Sequence, residues 1–128
     1  MTAPAVTSVT KHLSQEQVNE YADAADDHNP IHIDEAFAAA SPMGGTIAHG
    51  MLVLATISEM MAASLGEAWL TSGKLKVRFK APVKTTDTIT ASATSLGADG
   101  AVFRYSVECR NQDGVLLISG TAQVPAGA

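Results

Sequence analysis

The hydropathy of this chain changes period at residue 70, and that change limits the folds open to it. From Gly50 to Leu65 runs GMLVLATISEMMAASL, apolar nearly all round. The segment is long for a strand and stops before Gly66, so it reads as a buried helix. Beyond residue 70 apolar and polar residues alternate. Leu75, Val77 and Phe79 alternate with Lys74, Lys76, Arg78 and Lys80. Ile89, Ala91 and Ala93 alternate with Thr88, Thr90, Ser92 and Thr94. Phe103, Tyr105, Val107 and Cys109 alternate with Arg104, Ser106, Glu108 and Arg110, and 115–124 supplies a last strand. Gly97-Ala98-Asp99-Gly100 and Asn111-Gln112-Asp113-Gly114 read as hairpin turns, which force antiparallel pairing. Helices followed by an antiparallel meander make an α+β plan, with the long helix against one sheet face.

Upstream, Ser14-Gln15-Glu16-Gln17 reads as a capping box that opens a helix. Val18, Tyr21, Ala22 and Ala25 form its apolar stripe. Asn29-Pro30 ends it, since the residue before proline is pushed out of the α region. Asp34 caps a short helix over 35–40, and Ser41-Pro42-Met43-Gly44-Gly45 breaks it. Residues 1–10, rich in Thr, Ala and Pro, are expected to be partly loose. With 128 residues and neither repeat nor linker, one domain over 1–128 is expected.

Composition narrows the function classes. Eight Lys and Arg against 13 Asp and Glu give a net charge of −5, which argues against nucleic-acid binding. Apolar residues are 46% of the chain, too many for a disordered one, but aromatics are only 5%, so the core is built from small side chains. Cys109 is the single cysteine and reads as a small core residue. Residues 1–10 have no basic start, and the apolar run Met51–Ile57 is too short to cross a bilayer. No membrane partner and a cytoplasmic location are therefore expected.

Chemistry concentrates in Asp26-Asp27-His28-Asn29-Pro30-Ile31-His32-Ile33-Asp34. A turn at Asn29-Pro30 can bring the side chains of Asp27 and His32 to one point. A carboxylate and an imidazole facing one water form an acid–base pair. The same residues also fit a plain turn and a hydrogen-bonded core histidine. His28 and His32 have the i, i+4 spacing of metal ligands, but Pro30 spoils the helix such a pair needs, so no metal is expected. Gly44-Gly45-Thr46-Ile47-Ala48-His49-Gly50 matches no phosphate-binding pattern. It does place a helix N-terminus at Gly50, where a carbonyl can approach an unpartnered N–H closely. His49 reads as a cap or a support for this loop. Ser58 and Glu59 lie inside the apolar helix. Lys74, Lys76, Arg78 and Lys80 form a basic face, solvated or able to attract a phosphate-bearing ligand.

Asp27-His28-Asn29-Pro30-Ile31-His32 resembles the D-x-N-P-x-H motif of the MaoC-like, (R)-specific enoyl-CoA hydratases. Gly45-Thr46-Ile47-Ala48-His49-Gly50-Met51-Leu52 is similar to that family's entry into its central helix. Val77-Arg78-Phe79-Lys80-Ala81-Pro82-Val83 with Asp87-Thr88 is similar to its next strand. The resemblance implies a hot dog fold, a long helix wrapped by a curved antiparallel sheet, and a homodimer. It implies Asp27 and His32 as the catalytic pair, adding water to a trans-2-enoyl thioester to give an (R)-3-hydroxyacyl product, or the reverse. Gly50 would hold the thioester oxygen through its N–H. Asn29 and His49 would support the site, and Ser58 matches a position that hydrogen-bonds the catalytic Asp. Ala48, Met51, Arg78 and Lys80 are the expected substrate contacts, with the basic pair meeting phosphates of CoA or an acyl-carrier protein. No cofactor is needed, because the thioester is itself the electron sink. Two other readings stand beside this one. A hot dog thioesterase would use Glu59, and a non-catalytic subunit would only bind acyl thioesters.

Overall fold

The computed structural model describes residues 2–127. The elements run β1 Val9–His12, α1 Gln15–Ala25, α2 Pro30–Ile33, α3 Glu35–Ala40, α4 Gly50–Leu65, α5 Glu67–Ser72, β2 Lys74–Phe79, β3 Thr88–Asp99, β4 Val102–Arg110 and β5 Leu116–Pro125. All five strands form one curved antiparallel sheet in the order β1-β3-β4-β5-β2. Helix α4 lies along its concave face, which is the hot dog arrangement. The core forms where Val53, Ile57, Met60 and Met61 of α4 meet Ile89, Val107, Cys109 and Ile118 of the sheet. Burial also pushes the Cys109 thiol up to about 11, as befits an inert core residue.

Local chemistry explains most of the boundaries. Ser14 caps α1, and the capping box with Gln17 is complete in both directions. Asp34 caps α3 by accepting from the Phe37 N–H at 3.1 Å. The sheet departs from a simple meander. Strand β2 skips β3 and pairs with β5 at the far edge, because loop 80–87 carries the chain across the mouth of the sheet. The turn between β3 and β4 falls at Gly100-Ala101 rather than at 97–100. Gly97, at φ 87, instead sits at a bulge that lets β3 continue to Asp99.

Three further expectations need correction. Within residues 1–10, the described part is fastened at several points rather than loose. Val9 and Thr10 belong to β1, the Thr7 N–H donates to Ser64 Oγ at 3.0 Å, and Tyr105 Oη donates to the Pro4 carbonyl at 2.7 Å. Helix α1 ends at Ala25, ahead of Asn29-Pro30, because Asp26 turns left-handed at φ 52. Helix α4, apolar nearly all round and expected to be a buried helix, leaves one stripe open. Met51, Leu54, Ala55 and Ser58 lie at i, i+3, i+4 and i+7, and Met51 is 59% exposed. Among the described residues no helix is long and apolar enough to cross a membrane.

Candidate active site

The left-handed Asp26 reverses the chain directly after α1, and the Asp27 N–H closes the turn onto the Ala22 carbonyl at 3.0 Å. Asn29 then caps the single turn of α2. Its Oδ1 accepts from the Ile31 N–H at 3.2 Å, with Pro30 at the first helical position. The Asn29 N–H also points at Asp27 Oδ1, 3.4 Å away. Segment 47–49 closes over this turn. The Ile47 N–H donates to the Ile31 carbonyl at 3.1 Å, and the Ala48 N–H donates to the Val83 carbonyl at 2.8 Å.

These contacts fix three side chains. His32 Nδ1 lies 2.8 Å from the Ile47 carbonyl. A carbonyl only accepts, so Nδ1 carries a proton, and in the neutral imidazole Nε2 keeps its lone pair. The buried His49 points Nε2 at the Asp27 main-chain carbonyl, 3.0 Å away. Its ring stacks on that of His32, with centroids 3.8 Å apart and planes inclined by 25°. The Tyr21 ring packs on His49 with centroids 4.8 Å apart. A carboxylate oxygen of Asp27 and a ring nitrogen from each of His32 and His49 lie within 4.8 Å of one another, a span one water can bridge.

Asp27, His32 and His49 are of the residue types that hold metal ions, but the two imidazole rings are not arranged edge-on to a common point. Ring lone pairs lie in the ring plane, and these planes are stacked rather than aimed at one point. An ion held at about 2 Å from both nitrogens would have to stand well out of both planes. His28 lies elsewhere. Its Nε2 meets Asp23 Oδ1 at 2.9 Å on the surface, and that hydrogen bond raises its pKa above the ordinary 6.5.

A cavity of about 360 Å³ opens beside His32 and is lined by Ala48, Gly50, Val53, Phe79, Lys80 and Ile118 among others. Gly50 begins α4 there, and its N–H has no hydrogen-bond acceptor among the described residues. Asp27 stands at the exposed side of His32, outside this lining.

The remaining expected site residues are dispersed. Met51 and Ser58 line a separate hollow with Trp69 and Leu70. Ser58 Oγ accepts from Trp69 Nε1 at 3.0 Å and makes no hydrogen bond to Asp27 among the described residues. Helix α5, unexpected from the sequence, brings Trp69 there. Arg78 lies on the outer sheet face with Lys76 and Ser106, away from Lys80. Strand alternation would put residues 78 and 80 on one side, but β2 ends at Phe79. The chain then swings toward Leu117, whose carbonyl accepts from the Lys80 N–H at 2.8 Å. Glu59 pairs with Lys11 and lines no part of the cavity.

One participant escaped sequence reasoning. Gln15, read only as part of a capping box, donates from Nε2 to the His32 carbonyl at 2.8 Å and accepts from Thr46 Oγ1 at 2.6 Å. Contacts across 17 and 31 residues leave no local signature.

Comparison with known proteins places the chain in a family. The family model "MaoC like domain" matches residues 2–114. Over 119 residues the chain is 31% identical to an (R)-specific enoyl-CoA hydratase of Aeromonas caviae, covering 91% of this chain and 88% of that one. Over 91 residues it is 38% identical to 3-hydroxyacyl-thioester dehydratase Z of Mycobacterium tuberculosis, covering 68% of this chain. That match spans 60% of the relative's length. An R-hydratase of Pseudomonas aeruginosa, solved unliganded, superposes with a TM-score of 0.85 at 27% identity, covering 98% of this chain and 82% of that one. The chain therefore belongs to the MaoC-like domain family.

Proposed function

We propose that this protein adds water to a trans-2-enoyl thioester, giving an (R)-3-hydroxyacyl thioester, and catalyses the reverse dehydration through the same transition state. One observation carries the reading. An Asp27 carboxylate oxygen and a ring nitrogen of His32 lie within one water's span, beside a cavity lined by His32 and by Gly50, whose N–H has no acceptor among the described residues. Nε2 takes one proton of the bridging water while the Asp27 carboxylate orients the other. The hydroxide adds at C3, and the pair returns the proton to C2 on the same face. The electrons move into the thioester carbonyl, and the Gly50 N–H holds the oxygen as charge develops. The names of the relatives, hydratase and dehydratase, support both directions.

The apolar lining suits an acyl chain, and Lys80 at the rim suits a phosphate of CoA or of a carrier protein's prosthetic arm. The reading calls for neither metal nor organic cofactor. A thioesterase using Glu59 gains no support, since that carboxylate is engaged by Lys11. We further infer a homodimer. Strand β2 is an edge with an unpaired side, and the open Met51-Leu54-Ala55 stripe lies beside Leu70, which is 73% exposed. A second copy of the chain would cover both. A cytoplasmic setting fits the thioester substrate.

The test is mass spectrometry on a panel of trans-2-enoyl-CoA and enoyl-carrier thioesters of varied length. A gain of one water with R configuration at C3 is expected. Thiol release without hydration would overturn the reading.

A further inference from the structure

Asp27 and His32 are held from outside their own loop, at their main chains. The Asp27 carbonyl accepts from His49 Nε2 at 3.0 Å, and the His32 carbonyl accepts from Gln15 Nε2 at 2.8 Å. Both donors are anchored in turn. The Gln15 amide also donates to Asn19 Oδ1 at 2.9 Å, and its Oε1 accepts from the buried Thr46, whose hydroxyl lies 2.9 Å from Thr85 Oγ1. His49 is clamped between the Tyr21 and His32 rings.

Building on the hydratase reading, we propose that Gln15 and His49 are positioning residues that form a two-point clamp on the catalytic pair. Helix α2 has only four residues, so it cannot fix itself. The His32 carbonyl falls at its end, where no later turn supplies a donor. Gln15 supplies one from α1. The Asp27 carbonyl precedes the helix altogether, and His49 reaches it from the start of α4.

The buried nitrogens of His49 bear the mark of this task. Donation to a carbonyl requires the proton on Nε2, which leaves Nδ1 as a bare lone pair. Nδ1 is indeed a buried side-chain atom without a hydrogen-bond partner among the described residues. Such an orphan is uncommon and calls for a reason. Here the reason is the aim of the other nitrogen. The ring also holds the plane of His32 by stacking on it. Displacing a reacting group by about 1 Å lowers a rate by about 10²-fold. The clamp therefore acts on turnover rather than on substrate affinity.

The experiment compares Gln15→Met, His49→Phe and His49→Gln in the full chain. The first two keep bulk but remove the donor, and kcat is expected to fall about 10- to 100-fold with KM nearly unchanged. His49→Gln restores a donor toward Asp27 and should regain most of the loss. Unchanged kcat in both donor-free variants overturns the clamp, as does a His49→Gln variant no better than His49→Phe. A second measurement needs no substrate and no variant. Imidazole ¹⁵N spectra of the wild type should show His49 protonated at Nε2 and bare at Nδ1. The opposite tautomer in an active enzyme sinks the clamp alone. The expected tautomer in a protein that hydrates no thioester sinks the hydratase reading and leaves the clamp as the holder of this loop.

Discussion

The Phe79 ring lies over Gly50, so that a Cβ added at residue 50 would stand 3.2 Å from Phe79 Cε1. The ring belongs to the end of an edge strand and is 54% exposed, so it can yield by the few tenths of an ångström needed. Gly50→Ala is therefore expected to fold normally. Alanine favours a helix over glycine by up to about 1 kcal/mol, so the melting temperature should hold or rise. Turnover should fall by about 10-fold or more, because the methyl group obstructs the approach to the amide. Calorimetry and a hydration assay on one preparation separate the two effects.

Asp27→Asn and His32→Gln should each lower kcat by about 10²- to 10⁴-fold. Both side chains are at least partly exposed, so folding should survive. Circular dichroism alongside steady-state kinetics checks both halves. A variant retaining near-normal hydration would remove that residue from the mechanism.

Ser58→Ala should act mainly on stability. The hydroxyl accepts from Trp69, whose residue is 6% exposed, and its loss strands an indole N–H. The expected destabilisation is about 1–3 kcal/mol in urea titration. The drop in kcat should be much smaller than for Asp27→Asn.

Gly120→Ala should be among the most damaging substitutions. Gly120 pairs with Val77 across β5 and β2, and an added Cβ would overlap the Lys76 carbonyl oxygen. Backbone cannot step aside as a side-chain tip can. A loss of about 3 kcal/mol is expected, with β2 released from the sheet. Thermal unfolding and hydrogen exchange across 74–79 check it.

His28 provides a pH-dependent probe. The hydrogen bond to Asp23 raises its pKa, with help from the charges of Asp23, Asp26 and Asp27. A raised folded value means the contribution to stability is complete below the ordinary 6.5 and fades as pH climbs through the folded value. Asp23→Asn should bring the NMR titration of His28 down toward the ordinary value. Because the pair is on the surface, salt should do part of the same.

What the residues disclosed by themselves follows the range of the interactions involved. The helix start at Ser14, the cap at Asp34 and the extent of α4 rest on neighbours a few positions apart, and all are where the pattern puts them. The convergence of Asp27 and His32 is similarly local, spanning one turn. The order of β2 in the sheet was not legible, since alternation tells a strand its faces but not its partners. Trp69 on Ser58, His49 on Asp27 and Gln15 on His32 are tertiary contacts of the same kind. Lys80 and Arg78 parted company because a strand stopped one residue early.

Asp27, His32 and the Gly50 amide all come from a single polypeptide. On the mechanism proposed above, each copy brings its own Asp27, His32 and Gly50 amide, however many copies assemble. A mixed pair with one copy disabled at Asp27 should work at half capacity, and two copies crippled at different ones of these three positions should never rescue each other.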